Sequence, residues 1–295
     1  MPLDSIAEIL ASCSERNLAF WQVVLEADVE ERQVSAEASF EKMRATWRAM
    51  LDSAESYDGG LRSVSGLSGG DGELMRRYAA GGSALGGGYI SEVIATALCV
   101  GESNACMRKI VAAPTAGACG VLPAVLVPLY RRGEREEDIL RALYTAAGIG
   151  AVINSRASIS GAAGGCQYEI GTASAMAAAA LCYLGGGDAE AICHAAALAI
   201  KSLLGLVCDP IAGLVKVPCI KRNASGAMVA MCCADMALAG IRSAVPPDEV
   251  IMAMKDVGDK MDVSLRETGL GGIAGTPSGV KIADELRLAY GHLNG

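Results

Sequence analysis

The amino-acid sequence predicts an all-α fold, with a single mostly helical domain. Apolar residues recur at spacings of three and four along much of the chain, as in helices that bury one face. Alternating apolar and polar positions, which would indicate strands, are scarce, and aromatic residues make up only 4%. At 295 residues and 52% hydrophobic content the chain can bury a sizeable core, so we expect residues 1–295 to form one domain.

The first 56 residues predict amphipathic helices, and a glycine-rich segment follows them. The apolar faces of these helices are Ile6, Ile9, Leu10 and Cys13, and then Phe40, Met43 and Trp47. A charged run at residues 26–32 is expected to separate the two sets. Eleven of the 36 glycines lie between residues 59 and 88, so we expect a glycine-rich loop region there.

The later helices are predicted from the signals at their ends. Ser91 is expected to cap one helix, and the acidic residues between 134 and 138 indicate the start of another that stops at Gly148. Ser278 is expected to cap the last helix, which ends near Gly291. A further amphipathic helix follows Pro246 and Pro247, with apolar positions at Val250, Met254, Val257 and Met261.

Charge and composition exclude several classes of function. The formal net charge of −8 would repel a phosphate backbone, so we expect no binding to nucleic acid. Two alanine-rich stretches, 170–184 and 189–207, are interrupted by glycine and charged residues, which predicts packed helices and no membrane span. Residues 1–17 lack the pattern of a secretory signal, so we expect a cytoplasmic protein.

Cysteines in glycine- and proline-rich loops are the main candidates for chemistry. The chain has 11 cysteines, an odd number that favours reduced thiols over a disulfide framework. Cys166 and Cys208 lie in loops dense in Gly, Pro and Ser, and Cys219 follows Pro218, so their sulfurs can face a compact ligand. No CxxC pair is present, and from spacing alone buried structural thiols are the simpler interpretation.

Five separated blocks resemble the catalytic region of the iron-sulfur L-serine dehydratases. They are SGGD (68–71), APTAGACG (113–120), SISGAAGGCQ (158–167) with Glu169, CDPIAG (208–213) with Pro218, Cys219, Arg222 and Asn223, and LRETG (265–269). The resemblance implies a 4Fe-4S cluster held by Cys166, Cys208 and Cys219, with an open iron that acts as a Lewis acid on the hydroxyl and carboxylate of L-serine. It implies an L-serine ammonia-lyase that releases pyruvate and ammonia without pyridoxal phosphate.

Polar residues in these blocks are candidates for binding the substrate. Four are expected to do so, namely Thr115, Ser160, Arg222 and Arg266. We assign no catalytic base, because the only histidines are His194, expected to be an ordinary helix residue, and His292 near the terminus. The chain resembles the alpha chain of the two-chain form, which implies a separate beta chain as partner and an oligomer.

The remaining cysteines are expected to be structural, and two alternative functions stay open. Cys119 is expected to be a packed turn residue, and the cysteines within helical apolar patterns are expected to lie in the core, namely Cys13, Cys99, Cys106, Cys182, Cys193, Cys232 and Cys233. One alternative function is a pyridoxal-phosphate dehydratase that uses a lysine such as Lys216. The other is a non-enzymatic redox sensor or scaffold subunit that carries a cluster.

Overall fold

The computed structural model describes residues 4–214 and 217–291, and within them it confirms the all-α fold. The helices in these ranges are α1 (Ile6–Arg16), α2 (Phe20–Arg32), α3 (Ala36–Glu55), α4 (Asp71–Ala80), α5 (Gly87–Ala105), α6 (Val121–Arg131), α7 (Glu136–Arg156), α8 (Gly161–Gly164), α9 (Thr172–Leu184), α10 (Ala189–Ser202), α11 (Cys219–Leu238), α12 (Pro247–Lys260) and α13 (Pro277–Tyr290). Extended pairing among the described residues is limited to one bridge, between Cys208 and Arg266.

The first three helices form where the apolar spacing predicts helices, with side-chain caps at two of their starts. Ser5 caps α1 by accepting a hydrogen bond from the amide of Glu8, and Ser35 caps α3 in the same way. The charged run at 26–32 lies between the two predicted apolar sets, as expected, and is itself helical. It forms the second half of α2, because the buried face that begins at Phe20 continues through Ala27 and holds these residues in helical register.

The two alanine-rich stretches form α9 and α10, which lie side by side at the centre of the molecule. α9 also packs against α7 and α11. Nearly all of its residues from Thr172 to Cys182 are buried, and their small side chains let neighbouring helices approach closely. The predicted packing of these stretches as buried helices is confirmed. Among the described helices, none has the length and apolar character needed to cross a membrane.

Two predicted helix boundaries at the middle of the chain are wrong. Ser91 does not cap a helix but lies inside α5, where its hydroxyl donates to the carbonyl of Gly87. Gly148 does not end α7, which continues to Arg156. A methyl group on Gly148 would lie 2.4 Å from Val24 Cγ2, so the glycine permits close packing of α7 on α2.

The cap of the last helix is shifted by two residues from the prediction. Thr276, not Ser278, accepts the hydrogen bond from the amide of Gly279 and begins α13. The threonine takes this role because Pro277 occupies the first helical position, where its missing N–H has no partner to lose. The predicted end near Gly291 is confirmed, since α13 ends at Tyr290.

The glycine-rich segment 59–88 is not loop throughout, because it contains α4 and the start of α5. The carboxylate of Glu102, 1% exposed, fixes the turn that enters α4. It accepts hydrogen bonds from the amides of Gly69, Asp71 and Gly72 at 3.2, 2.9 and 3.0 Å and from the hydroxyl of Tyr57 at 2.5 Å. A negative charge beside a helix N-terminus is stabilised by the amides that point at it, so this contact orders the segment.

Candidate metal centre

Three of the loop cysteines come together in space. Cys166 directly precedes a π-helical turn (Gln167–Gly171) that leads into α9, Cys208 lies in the loop after α10, and Cys219 is the first residue of α11. All three are buried, the ligand atoms of Cys166 and Cys208 lie within 4.8 Å of each other, and Cys219 is close enough to Cys166 for each to change the pKa of the other. We call these three residues the thiol cluster. Packing of α9, α10 and α11 on one another brings its members together.

The thiols change each other's acidity. The neighbouring thiols of Cys208 and Cys219 lower the pKa of Cys166, and the nearby Arg222 guanidinium acts in the same direction. The pKa values of Cys208 and Cys219 are raised, first by the hydrogen bond to Cys166 and then by burial. The thiol cluster therefore favours a thiolate at Cys166, and a thiolate is the form of cysteine that ligates metals.

Backbone hydrogen bonds fix the loop of Cys208. Its amide donates to the carbonyl of Leu265 at 2.8 Å, and its carbonyl accepts from the amide of Glu267 at 2.7 Å. The buried side chain of Gln167 holds the preceding loop, because its Oε1 accepts from the amide of Gly205 at 3.0 Å. Its Nε2 also donates to the carbonyl of Met254 at 3.2 Å. The loop of Cys208 is thus tied to the chain on both sides.

Asn223 ties the helix of Cys219 to the block at 113–120. Its Nδ2 donates to the carbonyls of Gly117 at 2.8 Å and Cys219 at 3.1 Å, and its Oδ1 accepts from the amide of Gly120 at 2.8 Å. The side chain is buried, and these bonds use both of its donors and its acceptor. Asn223 therefore acts as a structural brace between two of the sequence blocks.

Glu169 lies at the thiol cluster, although no role was predicted for it from the sequence. Its Oε2 is 3.9 Å from Cys166 Sγ, and ligand atoms of Cys166, Glu169 and Cys208 all lie within 4.8 Å of one another. The hydroxyl of Thr115 donates to Oε1 at 2.6 Å. Burial raises the pKa of Glu169 to about 7. Its spacing of three residues from Cys166, across one helical turn, was the available signal.

Glycine at position 161 leaves the space that this arrangement needs. A methyl group there would lie 2.6 Å from Glu169 Oε2 and 3.1 Å from Cys208 Sγ. Three converging sulfurs form a soft donor set, which suits an iron-sulfur cluster better than hard cations such as Mg²⁺. The residues present therefore fit the cofactor that the sequence resemblance implies.

The two arginines contact protein groups. Arg222 forms an ion pair with the buried carboxylate of Asp209 at 2.8 Å and also donates to the carbonyl of Val207. Arg266 donates to the carbonyls of Asp259 and Met261, so it braces the loop after α12. Both lie next to the thiol cluster. The charge of Arg222 helps to lower the pKa of Cys166, and the backbone of Arg266 forms the bridge to Cys208.

The other two substrate candidates differ in their surroundings. Thr115 is half-buried and bonded to Glu169, as described above. Ser160 is exposed immediately before α8, and its amide donates to Ser158 Oγ at 3.1 Å. Thr115 is thus connected to the thiol cluster through one carboxylate, and Ser160 lies one residue before Gly161, at which a methyl group would meet Cys208.

A cavity of about 560 Å³ opens beside Glu169, and we call it the site cavity. It is lined by Val64, Asn104, Ala105, Met107, Ala116, Gly117, Glu169, Leu214 and Glu267. Glu169 belongs to both the cavity wall and the surroundings of Cys166, so the cavity adjoins the thiol cluster. A small molecule in this cavity could therefore reach the group that the thiols hold.

The other cysteines follow the expectations with two exceptions. Cys119 is fully buried in a turn, with Sγ 3.9 Å from the carbonyl of Val100, as predicted. Five of the seven cysteines expected in the core are buried, namely Cys13, Cys99, Cys182, Cys193 and Cys233. Cys232 is exposed and Cys106 is half-buried, so their placement in the core was wrong. Cys232 faces out because its neighbour Cys233 occupies the inward face of α11.

Of the two histidines and the candidate lysine, His194 falls within the described residues. His194 lies in α10, and its Nδ1 accepts a hydrogen bond from the amide of Ser243 at 3.3 Å. This contact agrees with its prediction as a helix residue with a structural partner. His292 and Lys216 lie outside the described residues.

Comparisons with known proteins point to one family. The family model "Serine dehydratase alpha chain" matches residues 15–274. A probable L-serine dehydratase alpha chain of Bacillus subtilis is 42% identical over 283 residues, covering 96% of this chain and 94% of the relative. The L-serine dehydratase alpha chain of Peptoniphilus asaccharolyticus is 44% identical over 286 residues, covering 95% and 97%. L-serine dehydratase 1 of Escherichia coli is 37% identical over 289 residues, covering 92% of this chain and 62% of its own length.

Proposed function

Because this chain belongs to the family of serine dehydratase alpha chains, we propose that it converts L-serine to pyruvate and ammonia with a 4Fe-4S cluster as cofactor. The observation that carries the proposal is that three buried thiols, those of Cys166, Cys208 and Cys219, come close together from three separate parts of the chain. The relatives that match over nearly their whole length are named for the same reaction.

The proposed ligands of the cofactor are the three sulfurs of the thiol cluster. Three protein sulfurs leave one iron of a 4Fe-4S cluster without a cysteine ligand, and such an iron supplies Lewis-acid chemistry toward a hydroxyl and a carboxylate. The low pKa of Cys166 supports this assignment, because a ligand must lose its proton before metal binds. Gly161 supports it by leaving open space against Cys208 and Glu169.

This chain's own residues would bind and orient the substrate in the site cavity. Thr115 fixes one carboxylate oxygen of Glu169, so the other oxygen keeps a defined position near Cys166. The ion pair of Arg222 with Asp209 holds a positive charge next to the thiol cluster, where it balances thiolate charge. Ser160 and Arg266 are further proposed substrate contacts, supported by their position beside the thiol cluster.

The proposed reaction is an elimination followed by hydrolysis. Removal of the Cα proton and departure of the β-hydroxyl convert serine to aminoacrylate, which tautomerises to an imine, and water then releases pyruvate and ammonia. We assign no base within this chain. We propose a separate beta chain as partner in an oligomer, supported by the alpha-chain designation of the matching relatives.

We also propose that residues 1–295 form one catalytic domain. The main hydrophobic core supports this, because it is continuous from Ile6 in α1 to Met254 in α12 and includes Cys166 and Cys208. A site whose residues are part of the same core as the first and twelfth helices is expected to unfold with them in one transition.

The test is anaerobic reconstitution with iron and sulfide, followed by a serine-to-pyruvate assay with and without the beta chain. We expect bound iron, bound sulfide and pyruvate formation in the wild type. Cys166→Ser, Cys208→Ser and Cys219→Ser should each abolish all three, whereas Cys232→Ser should abolish none, since Cys232 is exposed. Full activity in aerobic, chelator-treated protein would contradict the proposal.

Two outcomes of the same experiment identify the other functions. A protein that binds the cluster but forms no pyruvate under any condition, with no change in its electron paramagnetic spectrum on adding serine, would favour a redox sensor or scaffold. Activity that survives without iron but is lost after borohydride reduction would favour pyridoxal-phosphate chemistry, as would a visible pyridoxal absorbance.

A further inference from the structure

The described lining of the site cavity has two carboxyl groups and no cationic side chain, which influences the molecules that it can bind. We propose that the carboxylate of Glu267 binds the α-ammonium group of the substrate and so selects amino acids over hydroxy acids of the same shape. The assignment rests on the proposed function, because it takes the site cavity to be the substrate site. It extends that function by naming a residue that determines specificity.

The lining of the site cavity is neutral or negative wherever the structure describes it. Its two ionisable groups are the carboxylates of Glu169 and Glu267, and the other described lining residues are apolar or carry amides. Serine brings one carboxylate and one ammonium group. The carboxylate of serine meets no described cation in this lining, whereas its ammonium group meets the carboxyl groups of Glu169 and Glu267, so the cavity fits the cationic end of a zwitterionic amino acid.

The two carboxylates are not equivalent. Glu169 is engaged with Thr115 through Oε1 and approaches Cys166 through Oε2. Glu267 is half-buried at the cavity, and among the residues that the structure describes no cation pairs with it. A half-buried carboxylate in this condition is the better acceptor for a ligand ammonium, because binding replaces lost water with a charge-assisted hydrogen bond.

The backbone of Glu267 is fixed beside the thiol cluster. Its amide donates to the carbonyl of Cys208 at 2.7 Å, so its position is coupled to a proposed cluster ligand. Its φ angle is +66°, a left-handed conformation that a glutamate rarely adopts. Strained backbone of this kind persists only where the surrounding structure imposes it, and it clusters at functional sites. The backbone of Glu267 is thereby held at a constant place relative to the thiol cluster, from which its side chain reaches the wall of the site cavity.

The test compares ligands that differ only in the ammonium group. The protein is the reconstituted holoenzyme with its beta chain, and the variants are Glu267→Gln, Glu267→Asp and the matched control Glu15→Gln, an exposed residue of α1. Two measurements are made on each, namely KM and kcat for L-serine, and the inhibition constant of 3-hydroxypropanoate, which keeps the carboxylate and β-hydroxyl. Iron content confirms equal cluster loading.

The expected result is a change in preference and not a uniform loss. Glu267→Gln should raise KM for L-serine at least about tenfold while the inhibition constant of 3-hydroxypropanoate stays within about twofold, because only the ammonium contact is lost. Glu267→Asp keeps the charge and tolerates the left-handed backbone, so it should recover part of the preference. The control should match the wild type.

A readout independent of turnover separates this inference from the proposed function. Titration calorimetry of the holoenzyme with L-alanine and L-lactate, neither of which has a β-hydroxyl to eliminate, measures the preference for ammonium directly. An unchanged ratio of alanine to lactate affinity in Glu267→Gln would overturn the inference, as would parallel losses for both ligands. A wild type that prefers alanine but forms no pyruvate would overturn the proposed function, while the preference of the site cavity for an ammonium group, and its dependence on Glu267, would still be measured.

Discussion

Replacing Gly161 by alanine tests whether the space beside the thiol cluster is needed. The added methyl group would lie 2.6 Å from Glu169 Oε2 and 3.1 Å from Cys208 Sγ. Glu169 cannot give way freely, because its other oxygen is held by Thr115 at 2.6 Å. Cys208 is held on both sides by backbone hydrogen bonds to residues 265 and 267. The methyl group therefore has to displace groups that are fixed.

The magnitude follows from what must be displaced. Moving the Glu169 carboxylate away breaks a hydrogen bond to a charged group, which costs about 1.5–3 kcal/mol. Overpacking against Cys208 adds about 1–3 kcal/mol. If the displacement falls on the substrate-bound state, the first cost alone corresponds to a loss of about tenfold to 150-fold in kcat/KM.

The assay measures iron and sulfide per chain after anaerobic reconstitution, then kcat/KM for L-serine, and the free energy of unfolding of the apoprotein in urea. Gly88→Ala is the matched control, because a methyl group on Gly88 meets nothing within 4 Å. We expect Gly161→Ala to lose iron and activity, with the control unchanged in both. Wild-type iron content and kcat/KM in Gly161→Ala would refute the reasoning.

Three further predictions concern contacts around the thiol cluster. Thr115→Val should lower kcat/KM by about tenfold or more, because the hydrogen bond to Glu169 is lost, whereas Thr115→Ser keeps the hydroxyl and should retain most of the activity. Equal kcat/KM in Thr115→Val and the wild type would refute the role of this hydrogen bond. Asp209→Asn should lower the free energy of unfolding in urea by about 3 kcal/mol, because it leaves the largely buried Arg222 charge without its partner; a change below about 0.5 kcal/mol would contradict that. Glu102→Gln should speed amide hydrogen exchange at residues 69–72 while exchange in α9 stays unchanged, and wild-type exchange rates at residues 69–72 would contradict the role of Glu102 in ordering this turn.

The sequence predicted that the helices form, but it predicted where they begin and end less well. The spacing at Ile6 and Ile9 and the repeat that begins at Val250 correspond to α1 and α12, because a buried stripe needs apolar residues every three or four positions. Ser91 carries the chemistry of a cap but lies inside α5. Many serines have this chemistry, and packing of the first turn decides which residue is used.

The site was predictable in part, and mainly through resemblance. Spacing alone left Cys166, Cys208 and Cys219 as candidates without ruling out buried structural thiols. Their close approach in the fold agrees with the ligand set that the resemblance implies. Glu169 stood within a recognised block but received no role, because a carboxylate three residues after a cysteine is common on any helix. Only the fold shows that its oxygen faces two of the thiols.

The local sequence pattern thus determined the helical class, the alanine-rich central helices and the position of cysteines in glycine- and proline-rich loops. Each of these depends on residues only a few positions apart in the chain. The close approach of the thiols, the ion pair of Arg222 and the acidic lining of the site cavity depend on residues distant in sequence. These were decided by how α9, α10 and α11 pack, a property of the whole core that no local spacing encodes.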